Sequence, residues 1–227
     1  LFLLLPFLWS CETFILRNAT EEKQIFSSDD TGYSYEITVL LPPNYDPNGS
    51  YPSVYLIDGH WHYLNVAGDA QQLMEAGEIQ DIILVSIAYA DLKPSSLNDF
   101  GIISQNRIDD LTFPKNVEDD ELGGKAFEFR TFIKDDLIPF VESNYATDAT
   151  NRTLMGHSLG GYFGIWEMLN FSDSSLFQNI EAGSPALWWA DGYLFSQLNG
   201  ADEGGVYIHI GLHTTMGTLV TVVWNSF

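Results

Sequence analysis

Basic residues and cysteine are both scarce in this chain of 227 residues. Nine lysines and arginines stand against 31 aspartates and glutamates, which gives a formal net charge of -22 at pH 7. A surface this negative repels phosphate backbones and anionic lipid head groups, so a nucleic-acid partner is not expected. The one cysteine, Cys11, has no second cysteine to pair with, which excludes a disulfide within the chain.

Long apolar runs are also missing. The longest, LFLLLPFL at residues 1–8, is far shorter than the roughly 20 residues that span a bilayer, but it suits the core of a secretory signal. It leads into Leu8–Cys11 (LWSC), which resembles the lipobox of bacterial lipoproteins, where the cysteine is lipidated. The sequence begins without Met or a basic lead-in, so we expect a clipped N-terminus.

These N-terminal features predict export to the bacterial periplasm or cell envelope. A lipid on Cys11 would be the protein's contact with a membrane. The alternative is that residues 1–8 form an apolar first strand of the fold. We assign residues 1–11 to the signal or lipobox segment, residues 12–32 to a polar spacer, and residues 33–227 to one domain.

The abundant residues predict a well-packed domain. Apolar side chains make up 45% of the chain and aromatic ones 14%, which favours a large core over disorder. Strand-like and helix-like segments alternate, which is typical of an α/β fold with a mostly parallel sheet and helices on both faces. Predicted strands are 33–41, 53–57, 81–88, 152–155, 180–182 and 206–210; predicted helices are 64–76, 125–145, 159–170 and 193–198. Residues 90–124 show no clear period and are predicted as a long functional loop.

The most informative motif is Gly156-His157-Ser158-Leu159-Gly160, a G-x-S-x-G nucleophile elbow. A serine on a strained strand-to-helix turn projects its hydroxyl, and small neighbours let the backbone pack that tightly. The following helix would bring its positive N-terminal end to the place where an oxyanion develops. The alternative, an inert serine in a glycine-rich turn, is disfavoured because a predicted strand precedes the motif and a predicted helix follows it.

Several motifs in order resemble the esterase D-like, or "putative esterase", branch of the α/β-hydrolases, which includes siderophore esterases, S-formylglutathione hydrolase, and feruloyl and acetyl-xylan esterases. The siderophore-esterase-like members are the most similar in motif. The matching pieces are Leu41–Tyr45, Tyr51–Pro52, Val54–Gly59, Arg107, Asp110–Thr112, Gly156–Gly161 and Ser184–Trp189.

The resemblance implies an α/β-hydrolase fold and a set of roles around Ser158, the nucleophile. The N–H of Leu159 would form one half of the oxyanion hole, and the N–H of His60 or Gly59 the other half. It also implies a substrate pocket with Trp61, His62, Arg107 and Trp189.

For two of these pocket residues, a structural role is the alternative to substrate binding. Arg107 is either a structural salt bridge or a substrate clamp, and Trp189 either packs in the core or lines the pocket. No cofactor or metal is expected, because the acidic cluster at residues 118–121 lacks interleaved histidine and the glycine-centred spacing of a calcium loop.

The C-terminal end departs from the pattern. Hydrolases of this fold place a triad acid and then a histidine after the serine, but no Asp or Glu follows Glu203. His209 falls in mid-strand, and His213 lies where the acid is expected. His157, beside the serine, is expected to point into the fold. We therefore expect the acid and the histidine, with the last strand and helix, to lie outside these 227 residues.

Three functions are compatible with these observations. The first is a serine carboxylic-ester hydrolase that forms an acyl-enzyme on Ser158 and acts on a small-molecule ester. The second is an inactive binding or scaffold protein, or an inactive fragment, that retains the elbow without the acid and histidine. A peptidase of the same fold is the third, and the esterase-like motifs disfavour it. The esterase is the function that the sequence favours.

The lipid anchor can be tested on the protein expressed with its native leader. Each buried methylene contributes about 0.8 kcal/mol, so the acyl chains of a lipoprotein would hold the protein on a membrane. Wild type should enter the detergent phase on partitioning, and Cys11→Ala should stay in the aqueous phase. Ser10→Ala, which leaves the cysteine in place, is the control. Recovery of wild type and Cys11→Ala in the same phase would contradict the anchor.

Overall fold

The structure, a computed structural model, describes residues 20–116 and 122–198. Six strands form one sheet in the order β1-β2-β4-β3-β5-β6. The strands are β1 (Glu21–Ser27), β2 (Ser34–Leu40), β3 (Tyr51–Leu56), β4 (Ile83–Tyr89), β5 (Thr147–His157) and β6 (Asn179–Gly183). The helices are α1 (Gly59–Glu75), α2 (Leu97–Leu111), α3 (Ala126–Phe132), α4 (Ile138–Asn144), α5 (Leu159–Asn170) and α6 (Trp189–Leu198).

The sheet is antiparallel at one side and parallel through the rest. β1 pairs with β2, and β2 with β4, in antiparallel register. The pairs β4–β3, β3–β5 and β5–β6 are parallel. Ile83, Leu84 and Val85 of β4 are completely buried, as expected of a strand covered on both faces.

Successive residues of the central strands point to opposite faces of the sheet, and helices cover both faces. On one face α1 packs over a small cluster, which consists of Leu40, Leu56, Tyr63, Ala67 and Leu84. The neighbouring strand residues Val39, Tyr55 and Val85 point into the main core, which contains buried side chains of α2, α3, α4 and α5. The predicted fold class, a mostly parallel sheet with helices on both faces, is confirmed.

The structure differs from the expected organisation before and after β2. Residues 21–27, assigned to the spacer, form the edge strand β1. Nearly every residue of β1 is exposed, so its sequence lacks the apolar alternation by which a strand is predicted. Its charged side chains are typical of an edge strand that is protected against pairing with another chain.

The predicted loop at residues 90–124 contains α2, a helix of 15 residues. Few of its residues are buried, and its Asn, Asp and Gly residues favour loops, which hid the helix in the sequence. Its start does carry a signal, because Ser96 and Asp99 have the spacing of a capping box and the Ser96 hydroxyl accepts a hydrogen bond from the Asp99 N–H.

The helix predicted over residues 125–145 is helical throughout but not uniform. A π turn at Ile133–Leu137 separates α3 from α4. The turn directly precedes Pro139, which has no N–H to continue the α-helical ladder. The predicted strand at residues 206–210 lies outside the described residues.

The carboxyl group of Asp110 in α2 is completely buried beside the main core. The hydroxyls of Tyr35 and Tyr89 donate to its Oδ2 at 2.7 and 2.9 Å. Its Oδ1 has no hydrogen-bond partner within the described ranges. Burial raises the pKa of Asp110 from 3.8 to about 7, because the charged form loses its hydration, although both tyrosine hydrogen bonds act in the opposite direction.

This burial predicts a pH-dependent stability. In the unfolded chain Asp110 releases its proton near pH 4, whereas the folded protein keeps it until about pH 7. The Asp110 contribution to the free energy of unfolding should therefore fall as pH rises from about 4 to 7, by up to about 1.4 kcal/mol per pH unit. Asp110→Asn should remove that slope in urea titrations at several pH values. Asp135→Asn, at an exposed carboxylate, should keep it. An unchanged slope in Asp110→Asn would contradict the assignment.

Candidate active site

Ser158 occupies the sharp turn between β5 and α5. Its backbone angles, φ 58° and ψ -114°, lie in a region that residues other than glycine rarely adopt. Two backbone hydrogen bonds hold the turn: the Ser158 N–H donates to the Gly183 carbonyl at 2.9 Å, and the Ser158 carbonyl accepts from the Ala186 N–H at 3.0 Å. Hydrogen bonds to β6 and to the segment after it therefore stabilise the strained backbone conformation of Ser158.

The glycines around Ser158 are required by close backbone contacts. A Cβ on Gly156 would overlap the backbone of Gly160 across the turn. A Cβ on Gly161 would come within 3.3 Å of Pro185 and 3.2 Å of the Gly156 carbonyl oxygen. The absence of side chains at these glycines lets the first turn of α5 pack directly against the end of β5, next to Ser158.

The first N–H groups of α5 lack partners inside the helix, as in every α-helix, and they carry the positive end of the helix dipole. Leu159 is the first residue of α5, with its side chain buried. Its N–H directly follows Ser158, the position that the family resemblance assigns to one half of the oxyanion hole.

The second helix terminus lies at the same edge of the sheet. β3 and β5 run parallel with Leu56 opposite Met155, and the Ile57 N–H donates to the Met155 carbonyl at 2.9 Å. Directly after Ile57, Asp58 precedes α1, which begins at Gly59. Asp58 has a left-handed backbone, φ 62°, and its side chain makes no capping bond to α1.

Gly59 packs against β4. A Cβ there would overlap the hydroxyl oxygen of Ser86 and lie 3.2 Å from the Ile87 carbonyl. This close approach places the start of α1 beside the sheet edge where α5 also begins. The N–H groups of Gly59 and His60 are therefore in the first turn of a helix that starts next to the Ser158 turn.

The His60 side chain is engaged with β4. Its Nε2 lies 3.0 Å from both the N and the O of Tyr89, and its ring stacks on the Tyr89 ring at 5.7 Å. Burial lowers the pKa of His60, because the charged ring would lose hydration, so the neutral ring is favoured. This arrangement fixes the backbone of His60 and leaves the ring unsuited to accept a proton from Ser158.

Trp61 and His62 are half-buried in the first turn of α1. The His62 ring meets the His157 ring edge-on at 5.8 Å, and Trp61 meets Phe100 of α2 at 6.2 Å. His157, which was expected to point into the fold, is exposed instead, because its neighbour Ser158 turns the chain at the sheet edge. The His62 ring therefore lies beside the end of β5.

Of the two roles left open for Arg107, the structure shows the salt bridge: its Nε lies 2.7 Å from Oδ1 of Asp58. Of the two left open for Trp189, the contacts favour packing, because Trp189 is 4% exposed and its indole N–H donates to the Pro114 carbonyl at 2.9 Å. Asp58 itself was not among the candidate residues, although the Asp-Gly pair that ends a buried strand was the available signal.

Some expected features lie outside the part of the chain that the structure describes. These are Cys11, His209 and His213. Within residues 20–116 and 122–198, no three His, Cys, Asp or Glu side chains are grouped so as to hold a metal ion. No helix in the same ranges is both long and apolar enough to cross a membrane.

A serine on a strained turn between a central parallel strand and a helix, with a second helix starting beside it, defines the α/β-hydrolase class. Within that class the chain belongs to the esterase family whose model is described as "Putative esterase", which matches residues 28–221.

Relatives in this family include siderophore esterases. The chain is 31% identical to the ferri-bacillibactin esterase BesA of Bacillus subtilis over 176 residues, which is 74% of this chain and 59% of BesA. It is 27% identical to the apo-salmochelin esterase of Escherichia coli, over 71% of this chain and 50% of that protein. The chain thus spans between half and three fifths of the length of these two relatives.

Solved structures agree with this placement. The BES protein from Bacillus cereus superposes with a TM-score of 0.68 at 26% identity, covering 82% of this chain and 68% of that one. The siderophore hydrolase EstA from Aspergillus nidulans superposes with a TM-score of 0.65 at 25% identity, covering 81% and 62%.

The contact between Gly156 and Gly160 gives a direct test of the turn geometry. Gly156→Ala should lower the free energy of unfolding by about 1–3 kcal/mol, since the added methyl must displace backbone. It should also slow the labelling of Ser158 by a fluorophosphonate. Gly101→Ala in α2, where a methyl meets nothing within 4 Å, is the control and should be neutral or slightly stabilising. Equal behaviour of the two variants would contradict the described turn.

Proposed function

We propose that this protein is a serine carboxylic-ester hydrolase that forms an acyl-enzyme on Ser158. The observation that carries the proposal is the position of Ser158 on a left-handed turn, with the first turn of α5 after it and the first turn of α1 across the sheet edge. Family membership and the names of the relatives support the same reaction class.

In the proposed reaction, the Ser158 hydroxyl oxygen bonds to the ester carbonyl carbon, and the carbonyl oxygen takes up negative charge. The N–H of Leu159 and the N–H of Gly59 or His60 would donate to that oxygen, and both helix dipoles favour the charge. The alcohol then leaves with a proton, and water hydrolyses the acyl-enzyme to release the acid. The general base that accepts the serine proton is expected outside the described residues.

The proposed substrate class is a siderophore ester. BesA and the apo-salmochelin esterase are named for such compounds. The aromatic pair Trp61 and Phe100, both incompletely buried beside the end of β5, offers an apolar surface against which an aryl group could stack. His62 extends this surface toward His157.

The second candidate is a binding or scaffold protein that retains the fold without turnover. The observation that favours it is the His60 ring, which is held by Tyr89 and favoured in its neutral form, and so is unsuited to accept the Ser158 proton. Such a protein would bind a siderophore ester without consuming it. Isothermal titration and product analysis on one sample separate the two functions, because only the esterase releases acid and alcohol from the bound ester.

The nucleophile is tested with the full-length protein and an aryl acetate. Ser158→Ala should lower kcat by at least about 10³-fold, since the groups that activate and use the serine act as a unit. A fluorophosphonate should label wild type at Ser158 and leave the variant unlabelled. Ser143→Ala, at an exposed serine in α4, is the control and should keep wild-type kcat. Near-normal turnover in Ser158→Ala, or labelling of another residue, would refute the assignment.

A further inference from the structure

A buried carboxylate lies beside the proposed oxyanion site. The Asp58 side chain is 3% exposed and lies in the turn between β3 and α1. A Cβ on Gly160 would lie 3.4 Å from Oδ2 of Asp58, so the carboxylate rests against the first turn of α5. Its Oδ2 has no hydrogen-bond partner within the described parts of the chain.

Without a positively charged partner, the Asp58 carboxylate would disfavour the proposed reaction. A full negative charge buried near both helix termini repels the second negative charge that develops on the substrate oxygen. Without Arg107 it would also be free to compete for the same N–H donors, because a residue directly before a helix commonly accepts from the second or third N–H of that helix. For Asp58 the second N–H belongs to His60, one of the two proposed donors.

The contacts of Arg107 offset both the charge repulsion and the competition for N–H donors. Its Nε binds Oδ1 of Asp58 at 2.7 Å, which supplies a positive charge and turns the carboxylate away from the first turn of α1. Its Nη2 donates to the His157 carbonyl at 3.3 Å, directly before Ser158. One guanidinium therefore touches both turns of the site, and its own side chain is only 17% exposed.

The position of Arg107 is itself fixed from two sides. Its guanidinium lies 5.6 Å from the centre of the Trp61 ring, a cation–π distance. One turn further along α2, buried Asp110 accepts from Tyr89, whose backbone meets the His60 ring. α2 thus contacts the segment from Asp58 to His60 directly through Arg107 and indirectly through Asp110.

We propose that Arg107 is a positioning residue that acts through Asp58. It neutralises the Asp58 carboxylate and holds the turn that carries the Gly59 and His60 N–H groups at a fixed distance from Ser158. The inference rests on the proposed esterase function. It differs from a substrate clamp, because the partners of Arg107 are groups of the protein itself.

The decisive comparison is a single variant against a double variant in the full-length enzyme. Arg107→Met should lower kcat on an aryl acetate about 10- to 100-fold with KM changed less than about 3-fold, because an effect on the oxyanion appears in the transition state. Adding Asp58→Asn, which removes the unpaired charge and tolerates the left-handed backbone, should restore kcat at least about 5-fold over Arg107→Met.

Arg152→Met is the matched control. Arg152 is 16% exposed and pairs with Glu142; it lies in the middle of β5, six residues before Ser158. Its loss should lower the melting temperature while kcat stays within about 2-fold of wild type. If Arg107→Met does not fold, Arg107→Lys replaces it. Lysine keeps the charge near Asp58 but loses the forked contact to His157, so kcat should fall less than about 10-fold, again without a rise in KM.

Two results would overturn the inference while leaving the esterase intact. A rise in KM with kcat preserved in the Arg107 variants would identify a substrate clamp. A double variant no more active than Arg107→Met would show that the Asp58 charge is not what Arg107 controls. Failure of the esterase function itself would appear elsewhere, as wild type without turnover or Ser158→Ala with full turnover, and would overturn the inference as well.

Discussion

The parallel pairing of β3 with β5 is the interaction on which the rest of the site depends. With Leu56 opposite Met155, both strands end at the same edge within two residues of each other, so α1 and α5 begin side by side. The positive ends of two helix dipoles therefore lie at the same edge of the sheet, and together they favour a negative charge there more than one helix would. A slip of one residue would turn every side chain of β3 to the opposite face and separate the two turns.

The same edge concentrates backbone strain. Asp58, Ser158 and Ser184 all have positive φ, and a residue in such a conformation costs about 1–3 kcal/mol unless its surroundings hold it. Here the surroundings are the central strands and the buried first turn of α5. The rigid core therefore stabilises a site whose geometry is set before a substrate arrives.

The sequence could predict what depends on neighbours along the chain. Gly156 is required by its contact with Gly160, four residues away, so the turn at Ser158 could be recognised from the local motif, and α5 was predicted with its observed bounds. The alternation of strands and helices likewise indicated the fold class, because each element must bury one face locally. Two elements were missed, because β1 is almost entirely polar and α2 contains Asn, Asp and Gly residues that favour loops.

By itself, then, the sequence determined the fold class, the order of the elements other than β1 and α2, and the position of the strained serine turn, all of which follow from local sterics and hydrophobic period. Only the tertiary structure decided which side chains meet across long stretches of chain. Arg107 and Asp58 are 49 residues apart, and their pairing exists because α2 crosses the edge where β3 ends. Trp189 became a packing residue for the same reason, since its indole reaches Pro114, 75 residues away. Contacts at such separations follow from the register of the sheet and the docking of helices on it, which no short segment encodes.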